Sequence, residues 1–211
     1  MVFQYVALGD SLTVGRGSSF LAPAFVARYA RMSEKALQGK AAIFVFAHSG
    51  FTTEDVLNEL DNECIKKRIK AAEIITITSG GNDLINATRD FQKHQNEKIF
   101  MKALETCHQN LASILRLINE KKNGDTFIIR LCNLHDPFPE IPLAEKWVKK
   151  FNSVIQSFNL GQHIRIADIY SAFKHHEDQY LSSDRVHPND KGYKVIAEKL
   201  AELGYDHIMA K

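Results

Sequence analysis

Hydrophobic runs and amphipathic stretches alternate along this chain from one end to the other. Five runs are nearly continuous in apolar character and rich in Ile, Val and Phe: Phe3–Leu8, Ala42–Ala47, Glu73–Thr78, Thr126–Cys132 and His163–Ile169. A strand reads this way when both of its faces are covered, as in a parallel sheet. Between the runs, apolar residues recur three and four positions apart, which is the helical period. Phe100, Leu104, Cys107, Leu111, Ile114 and Ile118 form one stripe; Trp147, Phe151, Val154, Ile155 and Phe158 form another. A third, Tyr193, Ile196, Ala197 and Leu200, follows Pro188-Asn189, where Asn189 can cap a helix. These stripes read as core faces. Strands alternating with helices predict a three-layer α/β/α sandwich with right-handed crossovers. The polar stretches Phe91–Glu97 and Lys174–Ser183 are expected to be loops.

The 211 residues suffice for one core, and no repeat, low-complexity stretch or linker divides them, so 1–211 reads as a single domain. Lys and Arg number 27 against 25 Asp and Glu, and a formal charge of +2 carries no nucleic-acid footprint. The run Lys66-Lys67-Arg68, with Lys70 beyond Ile69, reads as a solvated helix face. The segment Met1-Val2-Phe3-Gln4-Tyr5-Val6 lacks the basic region and long apolar core of a secretory signal, and no apolar stretch is long enough to span a bilayer. Cys64, Cys107 and Cys132 are an odd set without metal spacing and read as reduced thiols of a cytoplasmic protein. No metal or cofactor is expected. His175-His176, followed by Glu177 and Asp178, is the nearest approach to a ligand set, and adjacent side chains on a helix point apart.

In a parallel sheet, chemistry collects beyond the carboxyl ends of the strands. The first strand is followed by Gly9-Asp10-Ser11-Leu12-Thr13, a tight turn that can expose a serine hydroxyl. The second is followed by His48-Ser49-Gly50, where a glycine lets an oxygen approach a backbone N–H. The third leads into Gly80-Gly81-Asn82-Asp83, where Asn82 offers an amide donor. With the strand order 2-1-3-4-5, Ser11 stands between Gly50 and Asn82, the layout of a nucleophile beside an oxyanion hole. A serine hydroxyl needs an adjacent base near neutral pH. His187, with Asp184 three residues upstream to hold its Nδ1–H, is the candidate. Asp10 and Asp83 read as turn-bonding residues.

The blocks Gly9-Asp10-Ser11-Leu12, Gly50, Gly80-Gly81-Asn82-Asp83 and Asp184-Arg185-Val186-His187 resemble, in order, those of the SGNH hydrolases, also called GDSL lipases and esterases. The resemblance spans nearly the whole chain. The strings from Ala7 to Gly15, from Asp184 to Pro188 and from Asn133 to Pro139 are similar to a Bacillus-type group of spore-associated GDSL lipases. The resemblance implies a flavodoxin-like α/β/α hydrolase that cleaves ester or thioester bonds without a metal. It implies Ser11 as nucleophile, His187 as base and then acid, and Asp184 as its orienter. It also implies an oxyanion hole from the N–H groups of Ser11 and Gly50 and the amide of Asn82. His48-Ser49 depart from the Asn or Gly found in many members.

A small-molecule or lipid ester is the expected substrate, and a spore-associated location is compatible with a cytoplasmic origin. Thr13, Phe51, Leu84 and Phe138 are candidates for the pocket wall. Two other readings stand beside this one. The same fold could serve as a thioesterase or a carbohydrate O-deacetylase. A non-catalytic flavodoxin-like binding module is the third class, although neither a P-loop nor a G-x-G-x-x-G string follows the first strand. The G-x-S-x-G elbow of α/β-hydrolases is also absent.

Overall fold

The computed structural model describes residues 1–20, 22–124 and 126–209. Five strands, β1 (Val2–Gly9), β2 (Lys40–Ala47), β3 (Ile74–Thr78), β4 (Ile128–Cys132) and β5 (Ile164–Ala167), form one parallel sheet in the order β2-β1-β3-β4-β5. The predicted order and α/β/α layering are therefore what the chain adopts. Helices follow every strand. A single turn, α1 (Ser11–Val14), precedes α2 (Phe25–Leu37); α3 (Thr53–Glu59) and α4 (Glu63–Ala71) lie between β2 and β3. Next come α5 (Gly81–His94) and the long α6 (Lys98–Lys122), then α7 (Pro142–Gln156) after β4. The C-terminal part carries α8 (Ile169–Phe173), α9 (Glu177–Tyr180), α10 (Asp190–Glu202) and α11 (Asp206–Met209).

Alternation along β1 divides the core. Val6 and Leu8 point to the layer that holds Ile65 and Ile69 of α4, Ile114 and Ile118 of α6, and Phe151 and Ile155 of α7. Phe3, Tyr5 and Ala7 point to the other layer, against Phe25 and Tyr29 of α2 and Tyr193 and Ile196 of α10. Each large apolar side chain removed from water contributes about 1.5–3 kcal/mol. Both layers are dense in such residues, so the sheet is clamped from both sides.

The expectation of two covered faces holds for β1, β3 and β4 but not for β2. As an edge strand β2 has only β1 beside it, and Ile43 and Val45 remain 40% and 48% exposed. Two element ends and one expected loop also differ from the sequence reading. The helix α5 runs through Phe91 to His94 because Phe91 packs on Phe100, ring centroids 5.2 Å apart, and Gln95 ends the helix in a left-handed turn. The stretch Lys174–Ser183 contains the short helix α9. The apolar run of β5 breaks at Asp168, whose carboxylate accepts the Ser171 N–H and starts α8 at Ile169. Asn189 caps α10 as expected, accepting from the N–H groups of Lys191 and Gly192.

Candidate active site

The turn after β1 is built from buried polar groups. Gly9 has φ of +148°, and a Cβ there would lie 2.3 Å from Thr78 Oγ1 and 2.4 Å from the Thr78 carbonyl oxygen, so only glycine fits. Asp10 caps α1: its Oδ1 accepts from the Leu12 N–H at 3.0 Å and from the Thr78 hydroxyl at 2.8 Å. Burial pushes the Asp10 carboxyl up to about 6, against the opposing pull of those two hydrogen bonds. Thr13 sits underneath, with its hydroxyl bonded to Thr78 Oγ1 at 2.8 Å and reaching the Leu8 carbonyl at 3.3 Å. Only 3% of Thr13 is exposed, and it supports the turn from below. Ser11, the first residue of α1, is left on top of this turn.

The turn between α9 and α10 presents the partner groups. His187 Nε2 lies 2.9 Å from Ser11 Oγ, and His187 Nδ1 lies 2.7 Å from Asp184 Oδ2. A carboxylate only accepts, so Nδ1 carries the ring proton and Nε2 is free to accept from the serine hydroxyl. Asp184 Oδ1 accepts three further bonds, from the Ser182 hydroxyl at 2.8 Å and from the N–H groups of Val186 and His187 at 2.9 Å each. Partial burial alone would raise the Asp184 carboxyl. The donors of His187, Val186 and Ser182 outweigh it and hold the group well below the usual carboxylate range. Arg185 adopts φ of +57° to fold this loop, and Gly17 lets the segment after α1 approach it closely.

Gly50 lies in the turn after β2 and Asn82 in the helix after β3, the two strands that border β1. Gly50 lies beyond β2 with φ of +93°, and a Cβ there would meet nothing within 4 Å, so its left-handed backbone faces open space. Asn82, at the start of α5, donates from Nδ2 to the Phe51 carbonyl at 2.8 Å. Asp83 joins the same two elements: its carboxylate accepts the Thr53 N–H at 2.9 Å and the Thr53 hydroxyl at 2.6 Å, and the Asn110 amide donates to that hydroxyl at 3.1 Å. Asp10 and Asp83 thus both bond turns, as their positions suggest. Phe51 and Leu84 are half-buried and packed on the core, and Phe138 is 38% exposed on the segment after β4. His48 lies against the Phe51 ring, centroids 4.7 Å apart.

One residue of the neighbourhood has no partner pattern in the sequence, although it lies in the string from Asn133 to Pro139. His135 Nε2 lies 2.8 Å from the carbonyl oxygen of Val186, inside the Asp184–His187 loop. Its partner is main chain, so no side-chain pattern announces it. His175 and His176 form no cluster with the acids behind them; among the described residues no three His, Cys, Asp or Glu side chains converge on a metal site.

Residues 7–195 match the GDSL-like lipase/acylhydrolase family. The chain belongs to that family. It is accordingly a serine hydrolase acting on ester bonds. The spore germination lipase LipC of Bacillus licheniformis is 41% identical over 210 residues, covering 99% of each chain. The uncharacterized protein YpmR of Bacillus subtilis is 27% identical over 205 residues, covering 92% of this chain and 78% of that one. Among solved structures, the lipase Lip_vut3 from a goat rumen metagenome superposes with a TM-score of 0.93 at 42% identity, covering 96% of this chain and 98% of that one. A variant of the acetyl xylan esterase Axe2 from Geobacillus stearothermophilus shares the fold, with a TM-score of 0.70 at 18% identity over 96% of this chain and 95% of its own. Among the described residues of this GDSL-family chain, no helix is long and apolar enough to cross a membrane.

Proposed function

We propose that this chain hydrolyses carboxylic esters through an acyl-enzyme on Ser11, with His187 and Asp184 completing a triad. The observation that carries the reading is the continuous hydrogen-bond line from Asp184 Oδ2 through His187 to Ser11 Oγ, with steps of 2.7 and 2.9 Å. Ser11 attacks the acyl carbonyl carbon as His187 Nε2 takes its proton. Asp184 steadies the imidazolium so formed. The oxyanion is received by the N–H groups of Ser11 and Gly50 and by the Asn82 amide. One Asn82 hydrogen is committed to the Phe51 carbonyl, which leaves the other to donate to the oxyanion. Each such donor contributes about 2.7–4 kcal/mol in the transition state. The alcohol leaves with the proton from His187, and water then deacylates Ser11 with the roles reversed. No step requires a cofactor.

Lipid esters, phospholipids included, are the substrates we favour, supported by the two lipases at 41% and 42% identity. Phe138, exposed on the segment after β4, offers an apolar contact for an acyl chain, with Phe51 and Leu84 behind the oxyanion donors. The chain is read as one catalytic unit over 1–211. Two buried free thiols, Cys107 and Cys132, support a cytoplasmic protein, including one carried into a spore.

The test is turnover of p-nitrophenyl esters of graded chain length beside a phospholipid panel, for the wild type and Ser11→Ala. The expected result is hydrolysis by the wild type, blocked by a serine-directed phosphonate, and no hydrolysis by a folded Ser11→Ala protein. Full turnover by that variant would refute the assignment. A preference for acetylated sugars or acyl thioesters over every lipid ester would overturn the substrate class alone.

A further inference from the structure

The segment after β4 is held at each successive residue. Asn133 Oδ1 accepts the N–H groups of Ile169 and Tyr170 at 2.6 and 2.9 Å, and its Nδ2 donates to Asp168 at 2.9 Å. Asn152, on α7, grips Leu134 twice. Its Oδ1 accepts the Leu134 N–H and its Nδ2 donates to the Leu134 carbonyl, each at 2.8 Å. Asp136 Oδ1 accepts the Phe138 N–H at 3.0 Å. The main chain that carries His135 is therefore fixed on both sides.

From this platform the His135 ring packs on Phe173, centroids 5.2 Å apart, and reaches the Val186 carbonyl oxygen at 2.8 Å. A carbonyl oxygen only accepts, so Nε2 must carry a proton. Burial pushes the ring below the ordinary histidine range, with His187 nearby acting in the same direction, so the neutral Nε2–H form is favoured.

The peptide group between Val186 and His187 is then held at both ends. Its carbonyl accepts from His135, and its N–H donates to Asp184 Oδ1 at 2.9 Å. A peptide is planar and stiff, so two opposed bonds fix the plane from which His187 projects. Hydrogen bonds in series also polarise one another, which strengthens the N–H as a donor to the carboxylate.

The geometry points to His135 as a positioning residue that orients His187 and Asp184 through the Val186–His187 peptide. This rests on the triad reading of Ser11, His187 and Asp184. His135 touches no reacting atom in this role. Its effect belongs in kcat, because the alignment of His187 with Ser11 matters most as the proton moves, while KM stays nearly unchanged.

Three measurements test it. His135→Leu removes the donor and keeps apolar bulk; kcat on a short p-nitrophenyl ester should fall roughly tenfold with KM within twofold. His135→Gln places an amide donor near the position of Nε2 and should restore kcat to within about threefold of wild type. The far-downfield proton resonance of His187 Nδ1–H should broaden or vanish in the Leu variant and persist in the Gln variant. A folded Leu variant with wild-type kcat and an unchanged resonance overturns the proposal, as does a Gln variant no better than Leu. Should the Leu variant not fold, the wild type decides: nitrogen chemical shifts that place the His135 proton on Nδ1 overturn it, and a neutral Nε2–H ring supports it. Ser11→Ala, run alongside, separates the two ideas. Residual full activity there sinks the triad, whereas an inactive Ser11→Ala with an unaffected His135→Leu sinks only the role of His135.

Discussion

The side-chain amide of Asn82 donates to the main-chain carbonyl of Phe51 across 2.8 Å, linking the start of α5 to the turn after β2. The two sources of oxyanion donors proposed on either side of Ser11 are thus joined to each other. Asn82→Ala removes a donor and this link together. Its kcat on a p-nitrophenyl ester should fall by roughly 10²–10³-fold. Asn82→Asp, nearly isosteric but without the donor, should fall at least as far. A loss below about fivefold in the Ala variant would take Asn82 out of the oxyanion hole.

Asp10 gives a dependence of stability on pH with a definite sign. Burial pushes its carboxyl up to about 6 in the fold, above the ordinary value of 3.8. The folded chain therefore binds this proton more tightly than the unfolded one. The stabilisation from the protonated form is complete below about pH 4 and is lost as pH rises through 6. The two values differ by about two units, or roughly 3 kcal/mol. Asp10→Asn keeps an oxygen for the Leu12 N–H and the Thr78 hydroxyl and cannot ionise. Denaturant unfolding at several pH values should show the variant gaining on the wild type by roughly 2–2.5 kcal/mol between pH 4 and pH 7. A constant difference across that range would show that Asp10 does not titrate there. Asp184, held below the usual range, acts with the opposite sign and in the window below about pH 4.

Gly17 couples the segment after α1 to the triad loop by simple contact. A Cβ there would stand 2.7 Å from the Pro188 carbonyl oxygen and 2.9 Å from His187 Cβ, at φ of +89°. Both neighbours are stiff, so Gly17→Ala must push the loop. A displacement near 1 Å lowers turnover by about 10²-fold. We expect kcat to drop by roughly ten- to a hundredfold, with melting lowered by about 5–10 °C from strain and overpacking. Unchanged turnover in a folded variant would mean that the loop yields without moving the imidazole.

The sheet order and the pairing of Ser11 with His187 were legible because they depend on side chains with strong patterns. Buried strands such as Ile74–Thr78 are apolar throughout, and an acid three residues before a histidine can fold back on it. The misplaced features depend on partners distant in sequence. Ile43 and Val45 look like core residues, but β2 is the last strand on its side of the sheet. Phe91 sits in a polar stretch, and Phe100 makes it part of a helix packed on Trp147. The contact of His135 has no such pattern, since a main-chain acceptor exists for every residue and marks none; only the resembling string from Asn133 to Pro139 points to its neighbourhood.

The acid and the imidazole ride on one short stretch of chain, three positions apart, immediately before α10. They form a preassembled cassette whose internal bond survives any rigid displacement of the C-terminal region. The joint from imidazole to hydroxyl spans 176 residues of sequence, and it is flanked by bonds from Ser19 to Asp190 and from Tyr193 to the Arg16 carbonyl. A small hinge motion at that joint would disarm the serine while leaving the cassette intact.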